Sequence, residues 1–205
     1  MRDLDKALAD IATIRVQLSA GTAFRGYGPA TMAATGVLAL ATTLLQALWP
    51  DDPTDHPLAF FSLWTATACV SGGLILIEMR ARARRHHSGL ADAMVHQAIE
   101  RFVPAGVAGA LLLALLWRLA PETLWMLPGL WQVLVSLGIF ASARSLPRTV
   151  AWGGVWYFVA GFSTLLLSGE SHTLSPWTMG LPFAIGQCLM ATLLHVASGD
   201  DDGED

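Results

Sequence analysis

Residues 58–85 read LAFFSLWTATACVSGGLILIEMRARARR, with twenty apolar or small neutral residues from Leu58 to Ile77 and then four arginines, Arg80, Arg82, Arg84 and Arg85. A helix needs about 20 mostly apolar residues to cross the hydrocarbon core of a bilayer, and Lys and Arg collect on the cytoplasmic side of such crossings. The stretch therefore predicts a span over about 58–79 that ends on the cytoplasmic face. Working outward from it, five further apolar stretches predict spans at about 29–49, 102–119, 123–142, 149–168 and 176–197. Eleven of the twelve cationic residues then fall on one side, Arg118 being the exception. Trp49, Trp117, Trp125 and Trp177 fall near the other interface, where amphipathic rings prefer to sit.

Composition agrees. The 205 residues are 54% hydrophobic and 14% charged, with a mean hydropathy of +0.51, against about 25% charge in ordinary soluble domains. The expected fold is an all-α polytopic membrane bundle of six transmembrane helices plus an N-terminal amphipathic helix. Its organisation reads as residues 1–25 (cytoplasmic amphipathic helix), 26–198 (membrane domain) and 199–205 (acidic cytoplasmic tail). Even parity puts both ends in the cytoplasm. In the first segment Leu4, Leu8, Ile11, Ile14 and Leu18 form a stripe, Asp3 suits an N-cap and Gly21 a stop, so residues 3–20 offer an apolar face for the membrane surface, for the rest of this protein, or for a protein partner or self-association. Residues 1–25 carry acids and bases on this helical pattern and no apolar core like that of a secretory signal, so this segment is expected to be retained in the cytoplasm. Cys69 and Cys188 lie inside spans and are expected to behave as small buried hydrophobes.

The ionisable residues exclude more than they suggest. No Asp, Glu, Lys or Arg falls in the central part of a span, which argues against a carboxylate-driven antiporter. No nucleophile elbow, paired-histidine zinc motif or phosphate-binding loop is present, and no cofactor or catalytic residue is expected. Glu78, at the inner end of the second span, reads as a carboxylate paired with nearby arginines; the sharper reading joins it to Arg25 and Arg144 in an inner-face polar cluster. Arg80, Arg82, Arg84 and Arg85 suit anionic lipid headgroups. Nucleic-acid binding lacks interleaved aromatics or a recognisable module. Asp92, His96 and Glu100 share a face at metal-compatible spacing, but they equally make the solvated face of a helix, and no metal site is assigned. His195 lacks a partner histidine at its depth for haem.

The polar residues inside the spans are the best ligand candidates. Pro128 with Gln132, and Pro182 with Gln187, place a backbone break near an amide in two spans that can pack together, and Tyr157, Ser136 and Thr192 could complete a small polar site. Prolines in membrane helices are also ordinary kinks, and amides there often only bridge helices. The two segments look alike, as do Arg25 before Pro29 and Arg101 before Pro104, which suggests a weak internal repeat of hairpins. Ala105 with Gly109, Gly106 with Ala110 and Gly138 with Ser142 offer small faces for close helix approach.

The strings FRGYGP (Phe24 to Pro29), WMLPGLWQ (Trp125 to Gln132), SLPR (Ser145 to Arg148) and SPWTMGLPF (Ser175 to Phe183), with Gln187, resemble a family of uncharacterised bacterial inner-membrane proteins. The resemblance implies that location and brings no activity with it. Three functions follow as expectations: a partner-binding or regulatory membrane component first, a small-solute or lipid transporter with its site between spans four, five and six second, and a lipid-modifying enzyme using the inner-face cluster third.

Overall fold

The computed structural model describes residues 28–86, 91–142 and 150–199, with side chains for 28–81, 100, 102–142 and 150–196. Six α-helices follow one another: α1 Pro29–Ala47, α2 Pro57–His86, α3 Ala91–Leu119, α4 Leu127–Ser142, α5 Ala151–Ser168 and α6 Pro176–Gly199. A 3₁₀ turn, Pro121–Met126, leads into α4, and no strand occurs among the described residues. Six helical segments are long and apolar enough to cross a membrane, one in each helix except that the fourth, Pro121–Ser142, joins the 3₁₀ turn to α4, which marks a multi-pass membrane protein by length and composition.

The local chemistry sets the helix ends. Gly28 is extended (φ −83°, ψ 133°) and Pro29 takes the first helical position, where its missing N–H is not needed. α1 ends before Trp49-Pro50, because the residue preceding a proline disfavours helical geometry. α2 and α6 likewise begin on prolines, Pro57 and Pro176. α2 overruns the predicted span by seven residues, to His86, since Met79–Arg85 holds only good helix formers. α3 begins eleven residues before the predicted third span and passes from Ala91 through Pro104 to Leu119.

Consecutive helices pack side by side, and α6 returns against α1, so the six close into a ring. The two most extensive contacts are α1 with α6 and α4 with α5. α3 is peripheral, with only 6% of its apolar window buried against 44% for the span containing α4. Its outer residues Val103, Val107, Leu111 and Leu115 form an apolar stripe, which lipid solvates at no penalty.

Small residues let the main pairs approach. On α1 the buried face is Met32, Thr35, Gly36, Ala39, Thr42, Thr43 and Gln46. A Cβ on Gly36 would lie 3.2 Å from Gln187 Cβ, and one on Gly180 would collide with the Thr43 side chain. The α1 hydroxyls stay satisfied in this apolar setting by bonding back to their own helix, Thr35 Oγ1 to Met32 O and Thr43 Oγ1 to Ala39 O at 2.8 Å each. α1 is tied to α2 by the Thr42–Thr67 hydroxyl pair at 2.8 Å, and by Gln46, which donates to Phe60 O at 3.2 Å and accepts from Trp64 Nε1 at 2.8 Å.

Of the small pairs singled out in the sequence, Ala105, Gly109 and Gly138 line the α3–α4 contact: Gly109 meets Trp131 and Gly138 meets Phe102 and Ala105. Gly106 faces open space. Cys69 and Cys188 are exposed on the outer surfaces of α2 and α6 rather than buried, because an apolar solvent accepts a thiol as readily as a protein core does.

One end of the bundle gathers residues 48–56, the 3₁₀ turn and residues 169–175. Leu174 N donates to Thr54 Oγ1 at 3.1 Å, and the Trp125 ring lies 4.7 Å from the His172 ring. His172 has φ 53°, and its N–H closes the end of α5 on Ser168 O at 2.8 Å. Asp52 Oδ1 accepts the Thr54 N–H at 2.8 Å, which holds its carboxyl below the ordinary carboxylate range. Trp49, Trp117 and Trp177 are all exposed toward this end.

Candidate functional site

Two apolar clusters fill the bundle. One, toward the loop end just described, contains Phe60, Phe61, Trp64, Leu124, Leu127, Leu174 and Met179. The other contains Met32, Ile139, Val150, Tyr157, Met190 and Leu194. Between them, on α4 after Leu127 and before Ile139, and on α6 after Met179 and before Met190, lies a layer of neutral polar groups.

Pro182 organises that layer. A proline inside a helix has no N–H, so the carbonyl four residues earlier, that of Thr178, loses its helical donor. Gln132 replaces it: Nε2 donates to Thr178 O at 2.8 Å from a side chain that is 0% exposed. The other end of the amide, Oε1, accepts from Thr164 Oγ1 at 3.5 Å, so one glutamine of α4 links α5 and α6. Two carbonyls farther along α6 also accept from α5, Pro182 O from Trp156 Nε1 at 2.9 Å and Phe183 O from the Tyr157 hydroxyl at 3.4 Å. Gln187 Nε2 then donates to the Tyr157 oxygen at 3.3 Å.

Glycines make this proximity possible. A Cβ on Gly186 would lie 2.6 Å from the Tyr157 oxygen, and one on Gly153 would collide with the Met190 thioether. On the α4–α5 side, a Cβ on Gly129 would lie 2.7 Å from the Gly161 carbonyl oxygen, and one on Gly161 would lie 2.8 Å from that of Gly129.

The structure thus brings together Gln132, Tyr157, Gln187 and Pro182 of the residues singled out in the sequence. Ser136 is fully buried one helical turn beyond Gln132. Pro128 differs: it is the second residue of α4, where it breaks no bond inside the helix, so its segment and that of Pro182 are not geometrically equivalent. Thr192 is exposed and bonds only to Cys188 O of its own helix. Thr164 and Trp156 were not singled out. Thr164 gave no signal, whereas the Thr178 carbonyl follows from counting four residues back from Pro182.

Glu78 is half-buried and Arg80 exposed on α2. Arg25 and Arg144 lie outside the described residues, as do residues 3–20, and the side chains of Arg82, Arg84, Arg85, Asp92 and His96 lie outside the described side chains. Glu100 and His195 are exposed, and no group of three metal-ligating side chains occurs among the described residues. The buried polar side chains are threonine, serine and glutamine, with the Tyr157 hydroxyl; no carboxylate, lysine, arginine or histidine is buried among the described residues. Such a layer can knit helices together or hold an uncharged hydrogen-bonding molecule. Compared with protein-family models, curated proteins and solved structures, the chain matches none of them.

Proposed function

We propose that this chain is a non-enzymatic component of a bacterial inner membrane, crossing it six times with both ends in the cytoplasm, that binds a protein partner or another copy of itself through residues 3–20. The amphipathic stripe Leu4, Leu8, Ile11, Ile14 and Leu18 supplies the contact face, and Arg80, Arg82, Arg84 and Arg85 hold anionic lipid headgroups beside it, possessing about 1 kcal/mol of attraction each near a charged leaflet. The observation that supports this reading best is the neutrality of the bundle interior. Its buried polar groups are spent mainly on backbone carbonyls and on one another, as in a scaffold, and among the described residues none is an acid or base suited to proton transfer near neutral pH.

Deleting residues 3–20 tests it. The truncated chain is expected to insert and melt like the full chain, but to lose its co-purifying partner or self-associated form in a mild detergent, read as a fall in particle mass. An unchanged mass would refute the proposal.

A second reading, transport of a small uncharged solute, is supported by the proline inside α6, which leaves the Thr178 carbonyl without its helical donor, and by the polar layer beside it, since transporter sites commonly form at interrupted helices. It requires flux in liposomes that Gln187→Leu abolishes.

A further inference from the structure

Two buried polar atoms in the layer make no hydrogen bond to the rest of the protein, Ser136 Oγ and Gln187 Oε1. Ser136 lies on the α4 face of Gln132, which is aimed at α5 and α6. The antiparallel register of α4 and α5, with Gly129 against Leu165 and Gly154 against Phe140, brings Ser136 level with Tyr157 and Phe158. Gln187 reaches the same tyrosine from α6 through its amide nitrogen. One unmatched atom thus belongs to the amide that bonds Tyr157, and the other lies at the level of Tyr157 on a different helix, in a region where an unmatched polar atom is strongly disfavoured.

We infer that α4, α5 and α6 hold a small uncharged hydrogen-bonding molecule, water or a neutral polyol-like solute, between Ser136 and Gln187 beside Tyr157. The occupant must donate to Gln187 Oε1, which only accepts, while the Ser136 hydroxyl can take either role. It is uncharged because no ionic side chain is buried among the described residues to compensate an ion. The inference shares residues with the transport reading but requires occupancy alone, not passage.

The test is the sign of one stability change. Removing a hydroxyl that is hydrogen-bonded destabilises a protein, whereas removing a buried one that is not is neutral or stabilising. Ser136→Ala in lipid nanodiscs is therefore expected to lower the melting temperature by about 2–4 °C. A rise, or no change, would overturn the inference. Glycerol separates the two occupants: an equal glycerol-induced shift in wild type and Ser136→Ala identifies water, and a larger shift in wild type identifies a polyol-like solute. Glycerol flux in liposomes is scored separately, so its absence alongside the Ser136→Ala destabilisation would refute transport and leave the occupied site standing.

Discussion

Gly161→Ala is expected to destabilise the bundle by about 3 kcal/mol, the upper end of the overpacking range. The added methyl would meet the Gly129 carbonyl oxygen and Val133 Cγ2, each at 2.8 Å, and the Val133 backbone nitrogen at 3.1 Å. A long side chain could swing aside, but two of these atoms belong to the α4 backbone, so relief requires the helices to part. Separation would also stretch the Gln132–Thr164 bond, which is already 3.5 Å long. Gly72→Ala is the control, because a Cβ there meets nothing within 4 Å, and it should be neutral or slightly stabilising through helix propensity. Unfolding in mixed micelles reads both. Equal tolerance of the two substitutions would show that α4 and α5 are not in backbone contact.

Gln132→Leu is expected to cost about 2–3 kcal/mol, because it leaves the buried Thr178 carbonyl and the Thr164 hydroxyl unpaired. The distinguishing feature is its coupling to Pro182. Pro182→Ala restores an N–H that can bond to Thr178 O within α6, so the carbonyl no longer depends on the glutamine. In a double-mutant cycle the combined variant should lose about 1 kcal/mol less than the two single changes together. Strict additivity would mean that Gln132 stabilises the bundle without answering the proline. The same cycle built on Pro128→Ala is expected to be additive, because that proline sits in the first turn of α4.

Much of the fold was legible because hydropathy over about 20 residues is a long, redundant signal. The predicted spans lie within two residues of the apolar helical segments at both ends, although the helices α2 and α3 themselves run on beyond them. Which faces touch was not legible. In an apolar bundle leucine and valine serve lipid and protein alike, so Leu111 on the outer surface and Leu127 in the core look the same in the sequence. Glycine is the better guide, and Gly129, Gly161 and Gly180 mark the close approaches while Gly72 and Gly106 mark none.

The polar layer was half legible. Gln132, Tyr157, Gln187 and Pro182 stand out as polar or helix-breaking residues inside apolar spans. Their partners do not, since the main acceptors are the backbone carbonyls of Thr178, Pro182 and Phe183, which no side-chain pattern reveals. The packing of α6 against α1, which closes the ring, joins the first and last helices and so leaves no trace in the local sequence.

The central claim is that the chain crosses a bilayer six times, which requires positions 54 and 171 to face one side and positions 83 and 145 the other. Single cysteines at these four positions, in a Cys69→Ala, Cys188→Ala background, test it with a membrane-impermeant maleimide on intact cells. The account predicts labelling of Thr54→Cys and Ser171→Cys from outside, and of Ala83→Cys and Ser145→Cys only after the membrane is opened. Labelling of Thr54→Cys and Ala83→Cys from the same face would contradict it.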